Sequence, residues 1–187
     1  MIEQIYKNHC NSASDINEHL PILKKYGEKC SHITEMGVRG IVSTWAFVVA
    51  KPKKLTCIDI KHPSSFGAEE KFNNLINECN LNNIDFKFIQ GNTLDINIEN
   101  TDLLFIDTLH NYEQIKTELS KHNINVNKFM IFHDTVSFGK RNETGHGKGI
   151  LVAINEFLDE NKNWKVIEDL KNNNGLMVLE KIGDNNV

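Results

Sequence analysis

The chain has 187 residues, 40% of them hydrophobic, with 21 Lys+Arg against 25 Asp+Glu and a formal net charge of -4. At this length one core buries roughly 70% of the surface of the unfolded chain, so a single domain over residues 1–187 is expected, without disulfides or a structural metal. Mild acidity without a basic stripe speaks against a nucleic-acid binder, and no apolar run approaches the roughly 20 residues of a membrane span. Short apolar runs then alternate with helical patterns, which predicts an α/β fold with a mostly parallel sheet covered on both faces. Residues 12–26 read as a leading helix, with Ser14 or Asp15 as N-cap and Gly27 just past its end. His32–Met36 is the first strand, 42–50 a short apolar helix ended by Lys51-Pro52, and 55–60 the second strand.

Beyond the break at His62-Pro63, Phe72, Leu75, Ile76 and Cys79 recur at helical spacing within 69–80. Residues 86–90 alternate as a third strand, stopped by Gly91-Asn92. A fourth strand over 102–107 (DLLFID), a helix over Tyr112–His122 and a fifth strand over 129–132 (FMIF) follow. Residues 135–149 are polar, carry Gly139, Gly145, Gly147 and Gly149, and are too long for a simple connector, so they are expected to form a lid. A helix over Ile150–Glu160 precedes strands 164–168 and 176–180, which should pair as an antiparallel hairpin through the turn at 172–175. The asparagines at 80–90 and 172–174 read as compositional drift, and arginine occurs only as Arg39 and Arg141. Cys10, Cys30, Cys57 and Cys79 form no C-x-x-C pair. With an N-terminus too polar for a secretory signal, they suit a reducing, cytoplasmic setting.

Chemistry concentrates at the strand ends. The first strand runs into Glu35-Met-Gly37-Val-Arg39-Gly40-Ile-Val-Ser43-Thr44, where glycines let a ligand approach and a helix N-terminus offers free N–H groups. A tight turn that merely packs is the plain alternative. Asp59 ends the second strand about 20 residues on, where a carboxylate of a doubly wound sheet reaches a ribose hydroxyl, and Gly91-Asn92-Thr93 ends the third. Three such ends on one rim favour a nucleoside cofactor. Arg39 either braces the cofactor turn or pairs with Glu35. Trp45 and Phe47 are assigned to the core, and His146 to a solvated loop.

On these residues the sequence resembles the Rossmann-like class I S-adenosylmethionine-dependent methyltransferases along nearly its whole length. Glu35-x-Gly37-x-x-Gly40 resembles their first motif, Asp59 their ribose-binding acid, and the final hairpin their antiparallel last strand. The resemblance implies a seven-stranded sheet of order 3-2-1-4-5-7-6. It also implies S-adenosylmethionine held by Glu35, Gly37, Arg39, Gly40, Ser43, Asp59, Gly91, Asn92 and Asp107. Asn92 stands where many members carry Asp. The segments DLLFIDTLHNYEQIKTEL and MIFHDT resemble the small-molecule and sugar O-methyltransferases whose fourth strand ends in D-G-D-H-x-Y, with Leu109 in place of the second acid.

Methyl transfer to a hydroxyl needs alignment and a proton acceptor. His110, three residues past the fourth strand, is the candidate base. Its alternative is a histidine that caps or packs at a helix start. His133 orients a carboxylate or touches substrate. Asp107 and Asp134 place two carboxylates on one rim, which suits Mg²⁺, or else they bond loop backbone and His110. Resemblance to catechol O-methyltransferase implies a metal set of Asp107, Asp134 and Thr135. The expected activity is O-methylation of a small acceptor, most plausibly a sugar or glycoconjugate, with a homodimer as the candidate assembly. A noncatalytic cofactor-binding domain and a nicotinamide-dependent oxidoreductase are the alternatives.

Overall fold

The structure is a computed structural model that describes residues 1–183. Seven strands form one sheet in the order β3-β2-β1-β4-β5-β7-β6. They are β1 (His32–Met36), β2 (Lys54–Asp59), β3 (Asp85–Gln90), β4 (Thr101–Ile106), β5 (Val126–His133), β6 (Trp164–Leu170) and β7 (Leu176–Lys181). The first five are parallel; β7 runs antiparallel between β5 and β6, with Ile131 opposite Val178. The strand order and the final hairpin are those expected from the sequence.

The alternation of side chains along a strand divides the core in two. In β4, Leu103 and Phe105 join Leu23, Phe47 and Ile131 on one face, while Leu104 and Ile106 join Met130, Ile154 and Phe157 on the other. β4 is central and buried on both faces, which is why its sequence is an unbroken apolar run. β3 lies at the edge and keeps alternating exposure.

Helices α1 (Ile2–Asn11), α2 (Leu20–Gly27) and α3 (Thr44–Ala50) pack together, and α4 (Glu69–Leu81) precedes β3. α5 (Tyr112–His122) and α6 (Ile150–Glu160) pack against each other. α3 is buried nearly all round and stops where Lys51 turns left-handed (φ 55) before Pro52. Asn111 caps α5 by accepting from the Gln114 amide at 2.8 Å, with Glu113 in the first turn and Lys121 and His122 in the last.

The leading helix expected over 12–26 is corrected. The helical stretch begins earlier, as α1, and the chain then crosses an irregular segment and a 3-10 turn (Asn17–His19) before α2. Short polar side chains take the backbone groups a continuous helix would have used: Ser12 Oγ donates to Asn8 O at 2.7 Å, and Asn17 Oδ1 accepts from the Ser14 amide at 3.0 Å. Pro21 sits in the first turn of α2, where its missing N–H costs nothing. No helix among the described residues is long and apolar enough to cross a membrane.

Candidate active site

The carboxyl ends of β1, β2, β3, β4 and β5 open onto one cavity of about 610 Å³. Gly37 makes this possible at the first strand end. Its φ is +87, and a Cβ there would lie 1.9 Å from the Asp107 carbonyl oxygen, so only glycine lets β1 and β4 converge. Asp59 organises the turn beyond it. Its Oδ2 accepts from the Val38 and Arg39 amides at 2.8 and 2.9 Å, and its Oδ1 from the Lys61 amide at 2.9 Å. The same carboxylate faces the cavity, together with Gly91 and Asn92 of the neighbouring strand end.

Of the residues expected to hold a cofactor, Gly37, Arg39, Gly40, Ser43, Asp59, Gly91, Asn92 and Asp107 all line this cavity, and Glu35 does not. Glu35 is fully buried behind the wall. Its carboxyl accepts from Ser43 Oγ at 2.5 Å, Thr44 Oγ1 at 2.7 Å and Cys57 Sγ at 3.2 Å, tying β1 to the start of α3. Burial pushes it up to about 7 even against these three donors. The pairing of Arg39 with Glu35 is also corrected, because Arg39 turns outward to Asp15 at 3.2 Å.

A second buried acid went unnoticed in the sequence. Glu118 accepts from Thr93 Oγ1 at 2.5 Å, Gln114 Nε2 at 2.8 Å and Thr108 Oγ1 at 2.9 Å, and those three residues line the cavity. Its burial raises it above the usual carboxylate range.

The far end of the cavity holds the titratable cluster. His110 Nε2 lies 2.9 Å from Asp134 Oδ2 and 3.3 Å from Asp107 Oδ1. Its Nδ1 donates to Glu143 Oε1 at 2.6 Å, and the same oxygen accepts from the His110 amide at 2.9 Å. Phe138 stacks on the ring with centroids 4.8 Å apart. Glu143 and Phe138 both come from the 135–149 loop. His133 points Nδ1 at Asp107 and Asp134, each at 3.4 Å, and donates Nε2–H to the Asn173 carbonyl at 3.3 Å. Every ring nitrogen of the pair therefore faces an oxygen, an arrangement that favours the protonated rings. Burial opposes that charge, but the hydrogen bonds to Asp107 and Asp134 outweigh it and raise both histidines to about 10. Burial also works against ionising the two acids, and the histidines nonetheless hold them below the usual carboxylate range.

Asp134 adopts a left-handed backbone (φ 59), and its Oδ1 is buried without a partner. One ligand atom each from Asp107, His110 and Asp134 lies within 4.8 Å of the others, a set of hard oxygens and one imidazole that fits a divalent cation. The Oγ1 of Thr135, expected in the metal set, is buried without a partner against Gly175 and outside the cavity lining. His133 is also absent from the lining and is almost fully buried, with Nδ1 toward the two carboxylates.

Comparison with known proteins bears on the fold. No known family profile matches the sequence, and no curated protein does. Among solved structures, the chain is similar to the O-methyltransferase from Bacillus cereus in complex with SAH, at TM-score 0.67 and 14% identity over 96% of this chain and 90% of that one. It is also similar to the O-methyltransferase TomG from Streptomyces achromogenes in complex with SAM, at TM-score 0.64 and 15% identity over 92% and 82%. A ribosomal protein methylase from Lactobacillus delbrueckii subsp. bulgaricus matches at TM-score 0.58 and 16% identity over 88% and 79%. The chain thus has the Rossmann-like methyltransferase fold.

Proposed function

We propose that the protein is an S-adenosylmethionine-dependent O-methyltransferase acting on a hydroxyl of a small acceptor of the sugar or glycoconjugate class. The observation that carries this reading is the continuity of one cavity, from Gly37, Asp59 and Gly91-Asn92 at one end to Asp107, His110 and Asp134 at the other. Two of the similar structures were determined with SAH or SAM, which supports the cofactor. Bound there, S-adenosylmethionine supplies an electrophilic methyl group.

The chain's own residues do the rest. Asp59 offers its remaining lone pairs to a vicinal diol, while the Gly37 turn lets the ligand lie against the backbone. His110 acts as a base only after its Nε2 proton has left; Glu143 on Nδ1 then fixes the tautomer whose Nε2 takes the proton of an acceptor hydroxyl brought beside Asp134. Asp107 and Asp134 would hold a divalent cation, which would orient and acidify the hydroxyl. His133, locked between the two acids and the Asn173 carbonyl, balances their charge. Phe138 and Glu143 bring the 135–149 loop onto His110, and this loop serves as the lid. The polar, acid-rich far end suits a polyhydroxylated acceptor, and the net charge of -4 suits a small molecule better than a nucleic acid.

The test is transfer of radiolabelled methyl from S-adenosylmethionine to a panel of sugars and nucleotide sugars, with and without Mg²⁺. Label in a product that disappears in Asp59→Ala supports the reading. The noncatalytic alternative rests on the engagement of both His110 nitrogens, and it predicts cofactor binding with no transfer to any acceptor. A nicotinamide-dependent oxidoreductase is disfavoured by the antiparallel β6–β7 pair.

A further inference from the structure

Of the asparagines read as drift in the sequence, Asn172, Asn173 and Asn174 are fully used in the fold. Asn173 Nδ2 donates to the Ser14 carbonyl at 2.9 Å while its Oδ1 accepts from the Glu18 amide at 3.1 Å. Asn172 Nδ2 donates to Glu18 Oε2 at 2.6 Å. His19, fully buried, donates Nε2–H to both the Asn172 and the Asn173 carbonyls at 3.0 Å. On the other side of the same turn, the Asn174 carbonyl accepts from the Val136 and Ser137 amides at 2.8 and 3.1 Å, where the lid loop begins. The Asn173 carbonyl also receives His133 Nε2.

The backbone explains the residue choice. Asn173, Asn174 and Gly175 are left-handed in succession (φ 42, 71 and 94), a conformation that asparagine tolerates and glycine adopts freely. A Cβ on Gly175 would sit 2.5 Å from the Val136 nitrogen, so the turn is pressed against the lid base. An amide side chain supplies the N–H donated to Ser14 and the oxygen that accepts from Glu18 at once.

The segment held this way matters because Asp15 and Ile16 line the cavity. The turn that grips them belongs to the β5–β7–β6 side of the sheet, beside His133, whereas Asp59 and Gly91 lie at β2 and β3. We infer that the 172–174 turn is a clamp that seats residues 14–17 as the acceptor-side wall of the cavity, with Asn173 as the positioning residue linking that wall to His133. This inference rests on the methyl-transfer reading for the word acceptor; the clamp itself does not.

The experiment compares wild type with Asn173→Gly, which keeps the left-handed backbone and the carbonyl but removes the side chain. Hydrogen exchange, nitrogen-15 histidine spectra and calorimetry with S-adenosylhomocysteine are read on the whole chain. Exchange over 13–19 should rise at least about tenfold with the β4 amides unchanged, and the His133 ring signals should move while those of His32 stay. Affinity for S-adenosylhomocysteine should stay within about threefold of wild type. Asn172→Ala, which loses only the Glu18 contact, should show the same pattern more weakly and serves if the glycine variant does not fold.

Unchanged exchange overturns the clamp, and unmoved His133 signals overturn the positioning role of Asn173. Loss of S-adenosylhomocysteine affinity by more than about tenfold assigns the wall to the cofactor half and overturns the acceptor assignment. A wild type that binds no S-adenosylhomocysteine sinks the methyl-transfer reading and the word acceptor with it, while exchange and the His133 signals still decide the clamp.

Discussion

Replacing Glu35 by Gln should change how stability depends on pH. The carboxyl is fully buried, and burial raises it from 4.5 to about 7 although Ser43, Thr44 and Cys57 all donate to it. A folded state that holds the proton more tightly than the unfolded chain gains stability that is fully present below pH 4.5 and is lost as pH rises through about 7. At about 1.4 kcal/mol per tenfold difference, the whole effect is about 3 kcal/mol, of which about 2.5 kcal/mol falls between pH 5 and pH 8. Glutamine fits the same space, accepts from Thr44 and Cys57 through its carbonyl while its amide can donate to Ser43 Oγ, and has no charge to lose. Urea unfolding of both proteins at pH 5 and pH 8 isolates the group, because other titrations cancel in the difference. The variant should gain on wild type by about 2.5 kcal/mol at the higher pH, equivalent to a relative rise in Tm of several degrees. Two proteins that track each other within about 0.5 kcal/mol would refute the argument from burial.

Gly37→Ala should lower stability by about 3 kcal/mol or more, because the new Cβ would meet the Asp107 carbonyl at 1.9 Å and the backbone is left-handed; a Tm unchanged in thermal unfolding would contradict this. His110→Gln should reduce methyl transfer by about 10²- to 10⁴-fold in a radiolabel assay and leave S-adenosylhomocysteine affinity nearly unchanged, whereas retained turnover would remove His110 as the base. Mg²⁺ at a hundredfold excess over its Kd should stabilise the folded protein by about 2.7 kcal/mol. That gain should vanish with chelator and in Asp134→Asn, and equal stability with metal and with chelator would dismiss the cation.

Much of this architecture was legible because the central strands cannot be read otherwise. DLLFID and FMIF are apolar on both faces, and in an α/β chain only a doubly covered strand has that pattern. The glycine turn, Asp59 and Gly91-Asn92 were legible as strand-end polar residues at the right separation. α1 was missed because its apolar positions, Ile2, Ile5 and Tyr6, are few among polar neighbours. Glu35 enters the cofactor set through the resemblance of Glu35-x-Gly37-x-x-Gly40 to a first motif, but three donors from the start of α3 and from β2 hold it in the core. Glu143 left no local signal, since its partner His110 lies 33 residues away, and Glu118 little, since Thr93 lies 25 residues away and only Gln114 is a neighbour on its own helix. The asparagine turn hid for the same reason: its contacts to Glu18 and Ser14 span 154 and 159 residues.

Calorimetric titration with S-adenosylhomocysteine, on wild type and on Asp59→Ala, tests the central claim most directly. The account predicts binding to the wild type and an affinity at least about tenfold weaker in the variant, which loses a charged acceptor from both the turn and the ligand. A folded wild type that gives no binding heat, or a variant that binds as well as wild type, would mean that the glycine turn and Asp59 serve packing alone.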